Sequence, residues 1–142
     1  MGLVKYFLRI FSKFHVFIFR NTGGKRMNKF GGMPVLILNP IGAKSGKKRS
    51  TPLMYFEHKG NFIVTASNGG SDYHPGWFYN IRIVPQTEIE TNEKKTTVVI
   101  HIADDKEKSE LWQILIKINR SYEEYQKKTK RNIPMIVLTS VS

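Results

Sequence analysis

Cysteine is absent from the 142 residues, which excludes a disulfide framework and a thiolate metal centre. Acidic residues are almost missing from the first sixty positions: twelve Lys/Arg face the single acid Glu57, a net +11 of the chain's +12. Residues 61–142, with eleven cations and ten acids, are nearly balanced. Charge so one-sided attracts an anionic partner, whether nucleic acid, anionic lipid or a polyanionic ligand. A long uncharged run is lacking too. The opening MGLVKYFLRIFSKFHVFIFR carries Lys5, Arg9, Lys13 and Arg20, and its longest charge-free run in the second half is Phe14 to Phe19, too short to span a bilayer. It shows no A-x-A-like cleavage site, and Tyr6 stands where myristoylation wants Ser or Thr. His15, His58, His74 and His101 have no metal-ligand spacing, so no metal site is expected.

What is present begins with that segment. At helical pitch Lys5, Arg9, Ser12, Lys13 and Arg20 share one arc, while Leu3, Phe7, Ile10, Phe11, Phe14, Phe17 and Ile18 fill the rest. Residues 1–20 read as an amphipathic helix, docked on its own domain or lying in an anionic membrane interface; the two can hold in different states. The length fits one domain, here 21–142. After the turn-like NTGGK and FGGMP the period changes. Runs at 34–38, 51–56 and 61–67 are short and rich in β-branched or aromatic residues, and TEIET with TTVVIHI flank the hairpin signal Asn92-Glu93-Lys94. Asp104 with Glu107 forms a capping box ahead of a long helix or helix pair, with Leu111, Leu115 and Ile118 on one face. Pro134 opens a last strand, MIVLTS. The fold class is α+β, about six antiparallel strands curled into a small barrel.

Two stretches could carry chemistry. GAKSGKKRSTP (42–52) fails as a nucleotide P-loop, since three residues separate Gly42 from Gly46 and a strand follows. It is either a solvated basic hairpin turn or a turn whose N–H groups and cations surround an anion. ASNGGSDYHPGWFYNI (66–81) leaves a strand through paired glycines, which permit close approach by a ligand. Trp77 and its aromatic neighbours read as core filling or as a ligand wall.

Together the runs G-x-K-S-G-x-x-R-x-T-P, A-S-x-G-G with H-P-x-W-x-x-N, and Y-x-x-Y-Q-x-x-T resemble the deazaflavin-dependent nitroreductase family, from about Ile18 to Leu138. The resemblance implies a split β-barrel oxidoreductase that uses reduced coenzyme F420 as hydride donor to a quinone-like, conjugated or nitro acceptor. It implies that Lys44, Ser45 and Arg49, flanked by Ala43 and Ser50, grip the phosphate and acidic tail. Thr51, Pro52, Leu53 and Met54 would line the ribityl chain and ring, and Thr65, Ala66, Ser67 and Asn68 would supply backbone contacts. Gly76, Trp77, Phe78, Tyr79 and Asn80 would close the other side. Ser67, Tyr122 and Tyr125 would stand near the reacting carbon as catalytic hydroxyls, Tyr122 also touching the coenzyme. The chain departs from the pattern at Ala43 and Asn68, where Arg and Lys are usual, and at Asn119, often Tyr. A monomer is expected, cytoplasmic or peripheral on the inner face of the cell membrane, without nucleic acid. The alternatives are a barrel that binds a deazaflavin or lipophilic ligand without turnover, and a basic nucleic-acid-binding domain. Against the latter, many of the cations lie on the N-terminal helix and one turn, not on a shared face with aromatics. The double substitution Lys44→Ala/Arg49→Ala should weaken coenzyme binding strongly in a fluorescence titration, and unchanged affinity would put the phosphate-grip assignment in error.

Overall fold

The computed structural model describes residues 13, 16, 29–30, 33–40, 50–92 and 94–141. Seven strands are found among them: β1 (Lys29–Phe30), β2 (Met33–Asn39), β3 (Thr51–His58), β4 (Asn61–Thr65), β5 (Gln86–Thr91), β6 (Lys94–Ile102) and β7 (Met135–Ser140). Three α-helices join them, α1 (Gly76–Ile81), α2 (Asp105–Ile118) and α3 (Ser121–Lys128), with a 3-10 turn at Asn68–Gly70. The order β2-β3-β4-β7-β6-β5 is antiparallel throughout and closes because β5 also pairs with β2, Leu38 opposite Ile89. β1 adds a short hairpin onto β2, Phe30 opposite Met33. The barrel fold expected from the sequence is thus observed.

Side-chain alternation divides the apolar residues into two layers. Leu36 and Leu38, Val64 and Ala66, Ile89, Val98, Ile136 and Leu138 point into the barrel, where Trp77, Phe78 and Ile81 of α1 join them. The opposite faces of β3, β4 and β7 present Phe56, Ile63 and Met135 to Leu111 and Leu115 of α2 and Tyr122 of α3. β2 is buried at nearly every position because both of its faces are covered; outside, Ile37 packs on Val16. Val16 is helical and buried, and Lys13, one turn earlier, is helical and exposed. The rest of the 1–20 helix lies outside the described residues.

Several elements differ from the sequence-based reading. The strand expected over 61–67 stops at Thr65, because Asn68, Gly69 and Gly70 take φ of 47°, 64° and 84° and roll the chain into the 3-10 turn. Within the HPGWFYNI stretch, to which no secondary structure was assigned from the sequence, Gly76–Ile81 form the short helix α1. Trp77, Phe78 and Ile81 face inward from it, the core-filling outcome for the first two. The long helical run is a pair, one of the two forms the sequence allowed, broken where Asn119 turns extended (φ −147°) and its Oδ1 accepts from Ser121 N–H at 3.0 Å. Ile118 is therefore exposed, against the expectation that it follows Leu111 and Leu115 inward: α2 ends at that residue, and Tyr122 of α3 takes its place in the packing. The capping box at Asp104 and Glu107 is formed as expected.

The paired glycines also have a different use from the one their position suggested. A Cβ on Gly70 would lie 2.8 Å from the Tyr125 carbonyl oxygen and 3.1 Å from Lys128 Cβ, so this glycine lets α3 press against the turn. Gly70→Ala should cost about 2–3 kcal/mol, from left-handed backbone strain plus overpacking. At Gly60, where φ is 78° and a Cβ meets nothing, the same change should cost about 1 kcal/mol. Urea unfolding of the two variants checks the difference, and equal losses would deny the close approach of α3.

Candidate active site

The candidate residues gather at one end of the barrel. β4 runs antiparallel to β3 with Tyr55 opposite Val64, so Thr65–Ser67 leave the sheet beside the start of β3. On the other side Thr65 pairs with Met135 of β7. Asn39 and Ser50, which bound the basic turn, are at this same end. Ala43, Lys44, Ser45 and Arg49 lie outside the described residues.

β3 is hydrogen-bonded along both edges, yet Thr51, Pro52, Leu53, Met54 and Tyr55 all stay half-exposed. Leu53 and Tyr55 lean on the barrel interior and Met54 on the helical layer, so neither face of this stretch is fully covered. At its head Ser50 Oγ donates to Asn39 Oδ1 at 2.6 Å, and Asn39 Nδ2 donates to Glu88 at 3.2 Å and Glu90 at 2.9 Å. Asn39 and Glu90 are buried. This polar cluster joins Asn39 at the end of β2 and Ser50 just before β3 to two glutamates of β5; TEIET carried no sign of it beyond two glutamates on one face.

The exit of β4 is held from one side. The Arg131 guanidinium donates to the carbonyls of Ala66 (3.1 Å), Ser67 (2.7 Å) and Ser71 (2.8 Å) and bonds His74 Nδ1 at 3.0 Å. Ala66 N–H is used by Pro134 carbonyl at 2.9 Å. Ala66 is wholly buried, so its backbone and side chain are both taken up by the protein. The N–H groups of Ser67 and Asn68, by contrast, make no bond to another backbone group among the described residues. Asn68 is left-handed, which asparagine tolerates better than most residues, and its side chain donates to Tyr73 carbonyl at 3.0 Å. That local bond gives Asn68 a structural reason to stand where a lysine is usual.

α1 brings Gly76, Trp77, Phe78, Tyr79 and Asn80 to the same end. Trp77 and Phe78 are buried with Ala66 and Val64, whereas Gly76 and Tyr79 are exposed and Asn80 half-buried. His74 lies between the rings of Phe78 (4.9 Å) and Tyr79 (5.6 Å), and Arg82 sits 4.6 Å above Tyr79.

From α3, the Tyr125 backbone touches the turn at Gly70, which brings Tyr125 and Ser67 into one neighbourhood. Tyr125 is half-exposed; Tyr122 is 3% exposed inside the helical layer, its ring edge-on to Tyr125 at 5.5 Å. Burial, with a smaller push from Tyr125, raises the Tyr122 phenol to about 12, so it holds its proton throughout the ordinary pH range. His58 and His101 face Glu110 and Glu107 at 3.7 and 2.7 Å, away from this cluster. No metal-holding group occurs among the described residues.

His74 is held below the ordinary histidine value of 6.5, first by desolvation, then by Arg131 and Arg82. The native state favours the neutral ring, whose Nδ1 accepts from Arg131. This contribution to stability is complete above pH 6.5 and is lost as the pH falls through the lowered native value. His74→Gln should therefore lose less thermal stability on acidification below pH 6.5 than the wild type does. Parallel Tm–pH curves would contradict it.

A family model described as F420H(2)-dependent quinone reductase matches residues 11–140. An F420H(2)-dependent quinone reductase of Mycobacterium tuberculosis is 34% identical over 131 residues, covering 89% of this chain and 88% of that protein. Among solved structures, an F420-H2 dependent reductase superposes with a TM-score of 0.67 at 33% identity, over 74% of this chain and 93% of that one. A second, described as a domain-swapped dimer, gives 0.69 at 28% identity over 89% and 95%.

Proposed function

The chain belongs to the F420H(2)-dependent quinone reductase family, an oxidoreductase family whose coenzyme is F420, and on that premise we propose how its own residues hold the coenzyme and serve a quinone-like acceptor. The carrying observation is the pair of N–H groups on Ser67 and Asn68 that make no bond to another backbone group among the described residues, beside the half-covered face of Thr51–Met54. Such a surface fits a long ligand with a flat ring and an anionic tail. The amides meet polar edges of the ring, the uncovered strand offers it an apolar bed, and Lys44, Ser45 and Arg49 meet the phosphate and tail. Ala66, with Trp77 and Phe78 packed on it, gives the bed a rigid floor. Tyr79 and Asn80 rise beside it.

Bound in its reduced form, the deazaflavin supplies a hydride, two electrons at once, because carbon replaces the reactive flavin nitrogen. The protein's share is orientation and charge. A quinone that accepts hydride develops an anionic oxygen; Ser67 Oγ and Tyr125 Oη are the hydroxyls that donate to it. Tyr122 lies beneath Tyr125 and supports its ring as an apolar neighbour.

The same proposal locates the reaction at an anionic membrane surface on the cytoplasmic side, the chain acting as a monomer. Support comes from the +11 excess of the first sixty residues, and from Lys13 facing solvent while Val16 is buried against Ile37. Val16 then rests on the barrel, and Lys13 is left for lipid headgroups. No helix among the described residues is long and apolar enough to cross a membrane.

The test is a titration with coenzyme F420 followed by oxidation of its reduced form by menadione. Binding without oxidation would favour a ligand-binding barrel over an enzyme. With turnover established, Tyr125→Phe should lower kcat about tenfold or more and leave coenzyme affinity alone, whereas Tyr122→Phe should have a smaller effect. If turnover survives both changes intact, the hydroxyl roles are wrong.

A further inference from the structure

The motif Y-x-x-Y-Q-x-x-T contains two residues, Gln126 and Thr129, that neither the packing nor the proposed chemistry uses. Their bonds all go to the segment just after them. Gln126 Nε2 donates to the Arg131 carbonyl at 2.8 Å and its Oε1 accepts from Ile133 N–H at 3.3 Å. Thr129 Oγ1 accepts from Arg131 N–H at 3.2 Å. Both ends of the Arg131 peptide backbone are therefore fixed by side chains from the end of α3. The guanidinium so placed spends its donors on Ala66, Ser67 and Ser71 carbonyls and on His74. It lies wholly on the carbonyl side of the β4 exit.

We propose that Arg131 is a positioning residue of the coenzyme site: by gathering the carbonyls of Ala66, Ser67 and Ser71 on one side, it holds the Ser67 and Asn68 N–H groups outward as a preformed donor pair. This rests on the reading that those two amides meet the coenzyme. A carbonyl and the N–H of the next residue are opposite ends of one rigid peptide plane. The Ala66 carbonyl bonded to Arg131 fixes the direction of Ser67 N–H, and the Ser67 carbonyl fixes that of Asn68 N–H. Two successive peptide planes are thus locked by one planar fork, a geometry a lysine ammonium cannot reproduce. The Ser71 and His74 bonds close the same loop from its far end. Without the fork the planes are free to rotate, and ligand binding has to order them.

Three measurements on the full chain test this. Arg131→Lys and Arg131→Gln should each raise the dissociation constant for coenzyme F420 by about tenfold or more, with kcat at saturating coenzyme little changed. In the coenzyme-free protein the Ser67 and Asn68 amide resonances should shift and exchange faster with solvent. Millimolar guanidinium should restore much of the affinity of Arg131→Ala. Should an Arg131 variant fail to fold, Gln126→Leu, which loosens the segment but keeps the arginine, should show a smaller loss in the same direction. Wild-type affinity in the Arg131 variants, or amide resonances indifferent to the substitution, would overturn the inference alone. A wild-type chain that does not bind coenzyme F420 would overturn the coenzyme reading and this inference with it.

Discussion

Pairing of β5 with β2 is the contact on which the other arrangements depend. It turns an open sheet of six strands into a closed one, removing two unpaired edges, and it makes the inward face of every strand a wall of one small interior. That interior is filled by branched aliphatic residues from all six strands together with Trp77, Phe78 and Ile81. With the inside full, the proposed coenzyme site lies on the rim. Where β4 leaves the sheet beside the start of β3, Thr51–Tyr55 stay half-exposed. Closure also brings Asn39 opposite Glu88, so the polar cluster of Asn39, Ser50, Glu88 and Glu90 is a by-product of the same pairing.

The second layer controls how the rim is shaped. α2 and α3 cover the outer faces of β3, β4 and β7, and the break at Asn119 swings α3 so that Tyr125 meets the 68–70 turn. Gly70 is the condition for that meeting, since any Cβ there would strike the Tyr125 backbone. The same helix carries Gln126 and leads into Thr129 and Arg131. On the proposed reading, one element delivers a hydroxyl to the site and leads into the cation that orders the opposing backbone. Apolar packing of Tyr122 holds this element down; Tyr122's buried phenol is better suited to that than to proton transfer, with its pKa pushed up to about 12.

Much of the fold was legible in the sequence because it follows from local pattern. Alternating runs bounded by Gly, Pro and Asn mark the strands, and Asp104 with Glu107 marks a helix start that is formed as read. Errors occur where a residue's role depends on distant chain. Ile118 has the helical spacing of a core residue, but the helix stops there. Gly70 looked like room for a ligand and is room for α3.

Arg131 was the hardest to find, and its case shows what a sequence does not carry. Its partners are main-chain carbonyls 60 to 65 positions away, and a carbonyl has no identity that a pattern could register. In the sequence it is one cation in KKTKR, a run that reads as a solvated helix end. What separates it from Lys127 or Lys130 is that Gln126 and Thr129 fix its backbone so that its side chain can point only toward the β4 exit. The motif residues were visible, but the residue they serve was not. Where a motif contains polar residues with no part in the chemistry, the backbone they hold in place is the next thing to trace, because orientation of main-chain donors decides what a rim of this kind can bind.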